Sequence, residues 1–363
     1  MVDFHRDVYC LLGLPFDAVD MAGAVQRVRD NATQRTPCFL STPNLNFLIG
    51  CRTDSQFRDS VIHSDLSIAD GMPLVWIARL LNVPIRERVA GSTLFDLLRR
   101  GSGKQLSVFF FGGSAGVAEA ACRRLRIEDK GLTCVGHESP GFGSIEEMSS
   151  DGIIQRINAG KADFLVVALG AQKGQAWIER NRARIEVPVI SHLGAVLNFV
   201  AGMVNRAPAW MHNIGLEWLW RIKEEPALWR RYFGDGRALL NLLVTRVFPY
   251  AWYLHFHKIN ADELEKAAAE TTEDGQYYVI HLRGAWTQRN IGPLRNCFSA
   301  AVLAGKDVRL EMGGVMYVDS AFVGLVTLLQ GHQKQHGRQL VIASPQEPVR
   351  KVIRYCCAEY LYI

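Results

Sequence analysis

Residues 106–125 read LSVFFFGGSAGVAEAACRRL. An unbroken apolar run, two glycines and then apolar residues at helical spacing predict a strand, a tight turn and a helix. A strand that is apolar on both faces belongs inside a parallel sheet covered by helices. The same signature recurs on either side. CFLST (38–42), LSIA (66–69), LTCVGH (132–137), DFLVVALG (163–170) and VPVIS (187–191) read as further strands. Helical patterns lie near 20–35, 54–63, 71–82, 92–101, 114–126, 145–158 and 172–185. This alternation predicts an α/β domain over residues 1–205, a Rossmann-like, mostly parallel sheet with helices on both faces.

The rest of the 363-residue chain changes character. Residues 206–257 hold five of the eight tryptophans, and also Arg221, Lys223, Arg230, Arg231, Arg237 and Arg246. They read as a basic, Trp-rich helical appendage. Residues 258–275, KINADELEKAAAETTEDG, are acidic and Ala-rich and read as a linker. Residues 276–363 restart a βαβ pattern and are enough for a small α/β domain of their own. The net charge of +5 lies wholly before residue 259, since residues 259–363 carry 11 basic and 11 acidic groups. That excess is too small to argue for nucleic acid as a partner. Eight scattered cysteines without a CxxC pair favour reduced thiols and a cytoplasmic setting. Met1–Leu12 lacks the basic and long apolar regions of a signal peptide. Residues 238–256 approach the length of a membrane span, but Arg246 at their centre favours a surface-lying or packed helix.

Four places at strand ends carry candidate chemistry, because ligands of open α/β sheets bind at the carboxyl ends of strands. Ser41-Thr42-Pro43-Asn44 reads either as turn and cap chemistry or as a polar cluster beside a substrate. Asp70 reads as a helix cap or as a general base. Gly112 and Gly113 form a plain βα turn or let the backbone approach a phosphate. Gly170 and Lys173 open the next such turn, where the Lys is either a solvated side chain or a cation for a pyrophosphate. No HExxH or P-loop is present, and no Asp-x-Asp pair suggests a nucleotide-bound metal. The residues therefore point to a site without a metal. An NAD-type oxidoreductase on the GGxxG turn lacks an acidic ribose ligand.

Taken together these places resemble the WecG/TagA/CpsF family of bacterial glycosyltransferases, glycosyltransferase family 26. The likeness runs from about Gly13 to Tyr232. It rests on STPN (41–44), ADGMPLVW (69–76), RVAGS (88–92), FGGSAGVAE (111–119), GFGSIEE (141–147), DFLVVALGAQKGQAWI (163–178), RAPAW (206–210) and GLEWLWRIKEEPALWRRY (215–232). The resemblance implies an inverting, metal-independent transfer from a UDP-sugar to a polyprenyl-diphosphate-linked sugar acceptor, at the inner face of the cell membrane, in exopolysaccharide or other surface polysaccharide assembly. It implies that Asp70 is the base, with Thr42 and Asn44 near the reacting centre. Gly112, Gly113, Gly170, Lys173, Arg88 and the appendage arginines Arg221, Arg230 and Arg231 would hold the donor diphosphate. No cofactor is implied, the UDP-sugar being a substrate. One departure stands out. The family usually shows Pro-Lys-Gln-Glu where this chain has Gln172-Lys173-Gly174-Gln175, so only Lys173 is kept. A gained glycine and a lost proline should loosen this loop. The alternative is a transferase-like scaffold without turnover.

Residues 276–363 resemble a STAS domain, through VRLEMGGVMYVDSAFVGLVTLL (308–329). The resemblance implies a protein partner and possible phosphorylation at Ser320, which follows Asp319 at a helix start. The same two residues also read as a plain helix cap.

Overall fold

The computed structural model describes residues 2–204, 211, 217–224 and 226–362. In chain order, β1 (Val8–Leu11) and β2 (Leu14–Asp17) precede α1 (Met21–Gln34), β3 (Cys38–Ser41), α2 (Leu45–Thr53), α3 (Ser55–Ile62), β4 (Leu66–Ser67), α4 (Met72–Leu80) and α5 (Gly91–Arg100). Next come β5 (Leu106–Gly112), α6 (Val117–Glu128), β6 (Leu132–Glu138), α7 (Asp151–Ala159), β7 (Phe164–Ala168), α8 (Ala171–Asn181), β8 (Val189–His192) and α9 (Gly194–Ala201). Then follow α10 (Glu217–Glu224), α11 (Trp229–Leu242), α12 (Phe248–Phe256), α13 (Ala261–Glu265), β9 (Ala268–Asp274), β10 (Tyr277–Trp286), α14 (Gly292–Ala304), β11 (Asp307–Val318), α15 (Ser320–Gln335), β12 (Leu340–Ala343) and α16 (Glu347–Tyr355). These elements form two compact units. One is Val19–Val75 with Arg86–Gly236, and the other is Met1–Ala18 with Trp76–Ile85 and Arg237–Ile363.

The first unit is built on six parallel strands in the order β4-β3-β8-β7-β5-β6. Strand β5 shows why its sequence has no polar face. Val108 and Phe110 join a core with residues of α1, α5, α6 and α9. Phe109 and Phe111 join another with residues of α7 and α8. Phe111 stacks on Trp177 at 4.1 Å. Because α6 and α8 cover opposite faces, the connections leaving β5 and β7 diverge. The crevice between these two strand ends is therefore a topological switch point. Parallel pairing also puts the ends of all six strands on one edge. Helices α2 and α9 are additions to the sequence reading, being short and apolar nearly all round. Cys122 of α6 and Cys134 of β6 form a disulfide, which corrects the expectation of reduced thiols for that pair.

The second unit holds a four-stranded sheet in the order β12-β11-β10-β9. β9 runs antiparallel to β10, and the other pairs are parallel. The expected linker over 258–275 is thus corrected. It contains α13, opened by a capping box between Asn260 and Glu263, and the edge strand β9. AAETTED is polar because it lies exposed at a sheet edge, where charge discourages further pairing. The N-terminal hairpin β1–β2 also belongs to this unit. Its two-residue turn, Leu12-Gly13, has φ of +50° and +93°, the signs a tight hairpin of this twist requires. The hairpin packs on α15. A Cβ on Gly13 would stand 3.0 Å from the Cys357 carbonyl oxygen, so glycine meets both demands.

From Arg237 to Phe256 the chain is helical, with a π-turn at Leu243–Val247. Pro249 explains the widened turn, since it has no N–H to donate and its ring crowds the carbonyl one turn back. Leu242, Val247, Tyr250 and Tyr253 are buried, and Tyr250 stacks on Tyr355 at 5.5 Å. Arg246 pairs with Glu359 at 2.7 Å and donates to the Arg354 carbonyl at 2.8 Å. No helix among the described residues is long and apolar enough to cross a membrane.

Candidate active site

Asp70 lies just beyond β4, and the parallel pairing of β3 with β4 carries it to the residues that follow β3. The Asp70 amide donates to the Pro43 carbonyl at 3.0 Å. Arg88 donates to Asp70 Oδ1 through Nε at 3.1 Å and Nη2 at 3.0 Å. The Gly91 amide donates to Asp70 Oδ2 at 3.3 Å. Gly91 opens α5, and the residue before it offers no side-chain cap. The carboxylate therefore caps a helix remote in sequence, where the helix dipole favours negative charge. Its side chain is one-fifth exposed, so it is held but reachable.

Thr42 and Asn44 flank this carboxylate. A Cβ on Gly91 would sit 3.0 Å from the Thr42 methyl carbon and 2.5 Å from Leu193, so the glycine admits both. A Cβ on Gly71 would lie 3.9 Å from the Asn44 Cβ. Asn44 caps α2 by accepting from the Phe47 amide at 3.2 Å. Cap chemistry is thus observed at Asn44, beside the carboxylate. Next to it in sequence, Asn46 shares a hydrogen bond with Asp235 of α11. Burial raises the Asp235 carboxyl above its ordinary range, against that bond and the charge of Arg231. Arg230 and Arg231 are exposed, lying against the rings of Trp229 and Tyr232. Arg221 lies on α10, its side chain outside the described residues, as are residues 206–210.

A second cluster lies at the switch point, three strands along the same edge. Gly112 and Gly113 have φ of +98° and +79°. The Gly113 amide donates to the Ala168 carbonyl at 2.8 Å, and a Cβ on Gly112 would meet that oxygen at 2.7 Å. Backbone conformation and close packing account for both glycines as a βα turn. Gly170 is the N-cap of α8, with nothing within 4 Å of where a Cβ would stand. Lys173 does not point freely at a ligand, because its Nζ donates to the Gly143 carbonyl at 2.5 Å. The departures around it have structural roles. Gly174 is a packing glycine, not a loosening one, since a Cβ there would stand 2.2 Å from the His192 ring. Burial holds the His192 imidazole below its ordinary pKa while its Nε2 lies 2.6 Å from the Leu169 carbonyl. Gln175 is fully buried and donates to Ser41 Oγ at 3.0 Å.

The fold therefore unites Thr42, Asn44, Asp70 and Arg88. It places Gly112, Gly113, Gly170 and Lys173 in a separate cluster. Gly91 and Asp235 were missed, though Gly91 is the glycine of RVAGS, while Gln175 stood only as a departure in the 172–175 run and His192 as an isolated histidine of structural character. In the second unit Ser320 is buried, and Asp319 is the cap of α15. Asp319 Oδ1 accepts from the Ala321 and Phe322 amides at 3.0 Å each, and Oδ2 from the Gln288 amide at 2.9 Å. The cap reading of Asp319 is the one the geometry supports. No group of three or more His, Cys, Asp or Glu with metal-site geometry occurs among the described residues.

A parallel sheet with a clamped carboxylate at its carboxyl edge and a glycine turn at its switch point is the framework of a group-transfer enzyme, here a glycosyltransferase joined to a STAS domain. Residues 9–251 match the family described as glycosyl transferase WecG/TagA/CpsF, and residues 269–358 match the Mlab-type STAS domain. The chain belongs to the WecG/TagA/CpsF family. A similar protein from Bacillus spizizenii is 28% identical over 211 residues, covering 58% of this chain and 80% of the relative. One from Bacillus subtilis is 25% identical over 211 residues, with the same coverage. One from Staphylococcus aureus is 26% identical over 214 residues, covering 58% of this chain and 82% of the relative. All three are named N-acetylglucosaminyldiphosphoundecaprenol N-acetyl-beta-D-mannosaminyltransferase.

Proposed function

We propose that this chain transfers a sugar from a UDP-sugar to a sugar carried on a polyprenyl diphosphate, with inversion and without a metal. The observation that carries the reading is the Asp70 carboxylate, fixed by Arg88 and the Gly91 amide beside Thr42 and Asn44. Asp70 takes the proton of the acceptor hydroxyl as that oxygen bonds to the anomeric carbon. The bond from that carbon to the diphosphate breaks on the opposite face, and UDP leaves. The guanidinium groups of Arg230 and Arg231 receive the developing charge. The relatives' names favour a lipid-linked N-acetylglucosamine acceptor and an N-acetylmannosamine donor sugar.

The test is UDP release from UDP-N-acetylmannosamine, UDP-N-acetylglucosamine, UDP-glucose and UDP-glucuronic acid, with and without lipid acceptor and chelator. Acceptor-dependent release from one donor, unchanged by chelator, is expected. Loss of release with chelator would overturn the metal-free step. A scaffold without turnover, which the engaged Lys173 favours, predicts no release from any donor.

The same reading places the protein on a membrane surface. Leu240, Val244, Phe248, Trp252 and Phe256 recur every fourth residue and are each more than half exposed. Such a stripe suits the interface of an anionic bilayer. Burying one side chain of this size contributes about 1.5–3 kcal/mol. Trp252→Ser with Phe256→Ser should therefore weaken partition onto phosphatidylglycerol vesicles by about tenfold or more. Sedimentation equal to that of the wild type would remove the stripe from this role.

A further inference from the structure

We infer that the docking partner of the STAS domain is the N-terminal hairpin of its own chain, residues 3–18. The domain then acts by holding that hairpin in cis, not by recruiting a separate protein. The evidence is the face of α15. This helix is buried over nearly all its length, with β11 and β12 on one side and β1 and β2 on another. The fit is closest at Gly324. A Cβ there would stand 2.9 Å from the Val8 carbonyl oxygen, 3.0 Å from the Cys10 amide nitrogen and 3.1 Å from the Tyr9 carbonyl carbon. No other residue admits the β1 backbone without displacement.

Polar bonds fix the rim. Arg295 and Gln288 both donate to Asp7 Oδ1, at 2.8 Å and 3.0 Å. Tyr360 donates its hydroxyl to the Gly13 carbonyl at 3.0 Å. Phe4 packs edge-on against Phe298 at 5.7 Å. Burial, and then the nearby Asp319, push the Tyr9 phenol up to about 12, as expected of a strand packed on α15. Ser320, where the STAS resemblance puts a phosphate, is buried in this same unit. A separate protein reaches this face only after the hairpin lifts. The family match of the transferase begins at residue 9, so the STAS domain grips the first strand of the enzyme to which it is fused.

The test uses the full chain with a protease site inserted between Ala18 and Val19, cleaved under native conditions and run on gel filtration. The 1–18 fragment is expected to co-elute with residues 19–363. Gly324→Leu, which fills the contact from the helix side, should release most of it. Cys10→Asp should do the same from the hairpin side, placing a carboxylate at a buried position while leaving the STAS sequence untouched. Elution of the fragment alone from the wild-type chain would overturn the inference. So would its retention in either variant.

Discussion

Asp70→Asn should lower turnover by at least about 100-fold while leaving UDP affinity close to wild type. The amide cannot take a proton from the acceptor hydroxyl near neutral pH, yet it has the size of the carboxylate. One oxygen remains to accept from Arg88. The new NH2 then faces the Gly91 amide, so two donors meet where a donor met an acceptor. That mismatch costs about 1–3 kcal/mol, enough to lower the melting temperature without unfolding the unit. Parallel measurements of kcat, UDP binding and melting separate the two effects. Turnover within a few-fold of wild type would remove Asp70 from the base role. Asn44→Ala is a poorer probe, since it also removes the α2 cap, worth about 1 kcal/mol.

Arg6→Ala should produce the largest local loss of stability. Arg6 donates to Asp17 through Nε at 2.9 Å and Nη2 at 2.6 Å, and both side chains are 3% exposed. Removing the guanidinium takes the opposite charge away from a buried carboxylate, a change that costs about 3–5 kcal/mol. Because the pair ties the segment just before β1 to the last residue of β2, the loss is expected as opening of the hairpin. Native-state hydrogen exchange at Val8–Asp17 should accelerate by about 10² to a few times 10³. Arg6→Met with Asp17→Leu should recover most of the protection, since an apolar pair needs no compensation. Exchange of Arg6→Ala within tenfold of wild type would show that the pair contributes little.

The parts legible in the sequence share one property, a local pattern with one physical meaning. β5 is predicted to its ends because it is buried on both faces and closed by glycines. The STAS helix α15 begins at Ser320, where Asp319 signals a helix start in the sequence. The hairpin was invisible because its turn is Leu12-Gly13, not Asn-Gly, and its apolar residues meet a surface some 300 residues away. β9 read as linker because an exposed edge strand has no apolar face. At the site, Asp70, Thr42 and Asn44 stood out as polar residues at strand ends, while Arg88 entered only through the resemblance, as a diphosphate ligand, and is bonded instead to Asp70. Their union through Gly91 required the fold. Lys173 looked available in sequence, and only the loop at Gly143 shows where its charge goes.

The bond from Tyr360 to Gly13 spans 347 residues. On the ribosome, at about 5–20 residues per second, β1 and β2 wait about 17–70 s before α15, β12 and Tyr360 exist. Nascent chains therefore carry an apolar N-terminal ribbon through the whole synthesis of the transferase segment. A chain halted before the STAS codons never acquires its cover. For this protein, residues 276–363 decide whether residues 1–18 are sheltered, and products halted before them should be marked for chaperones or proteases by the uncovered hairpin.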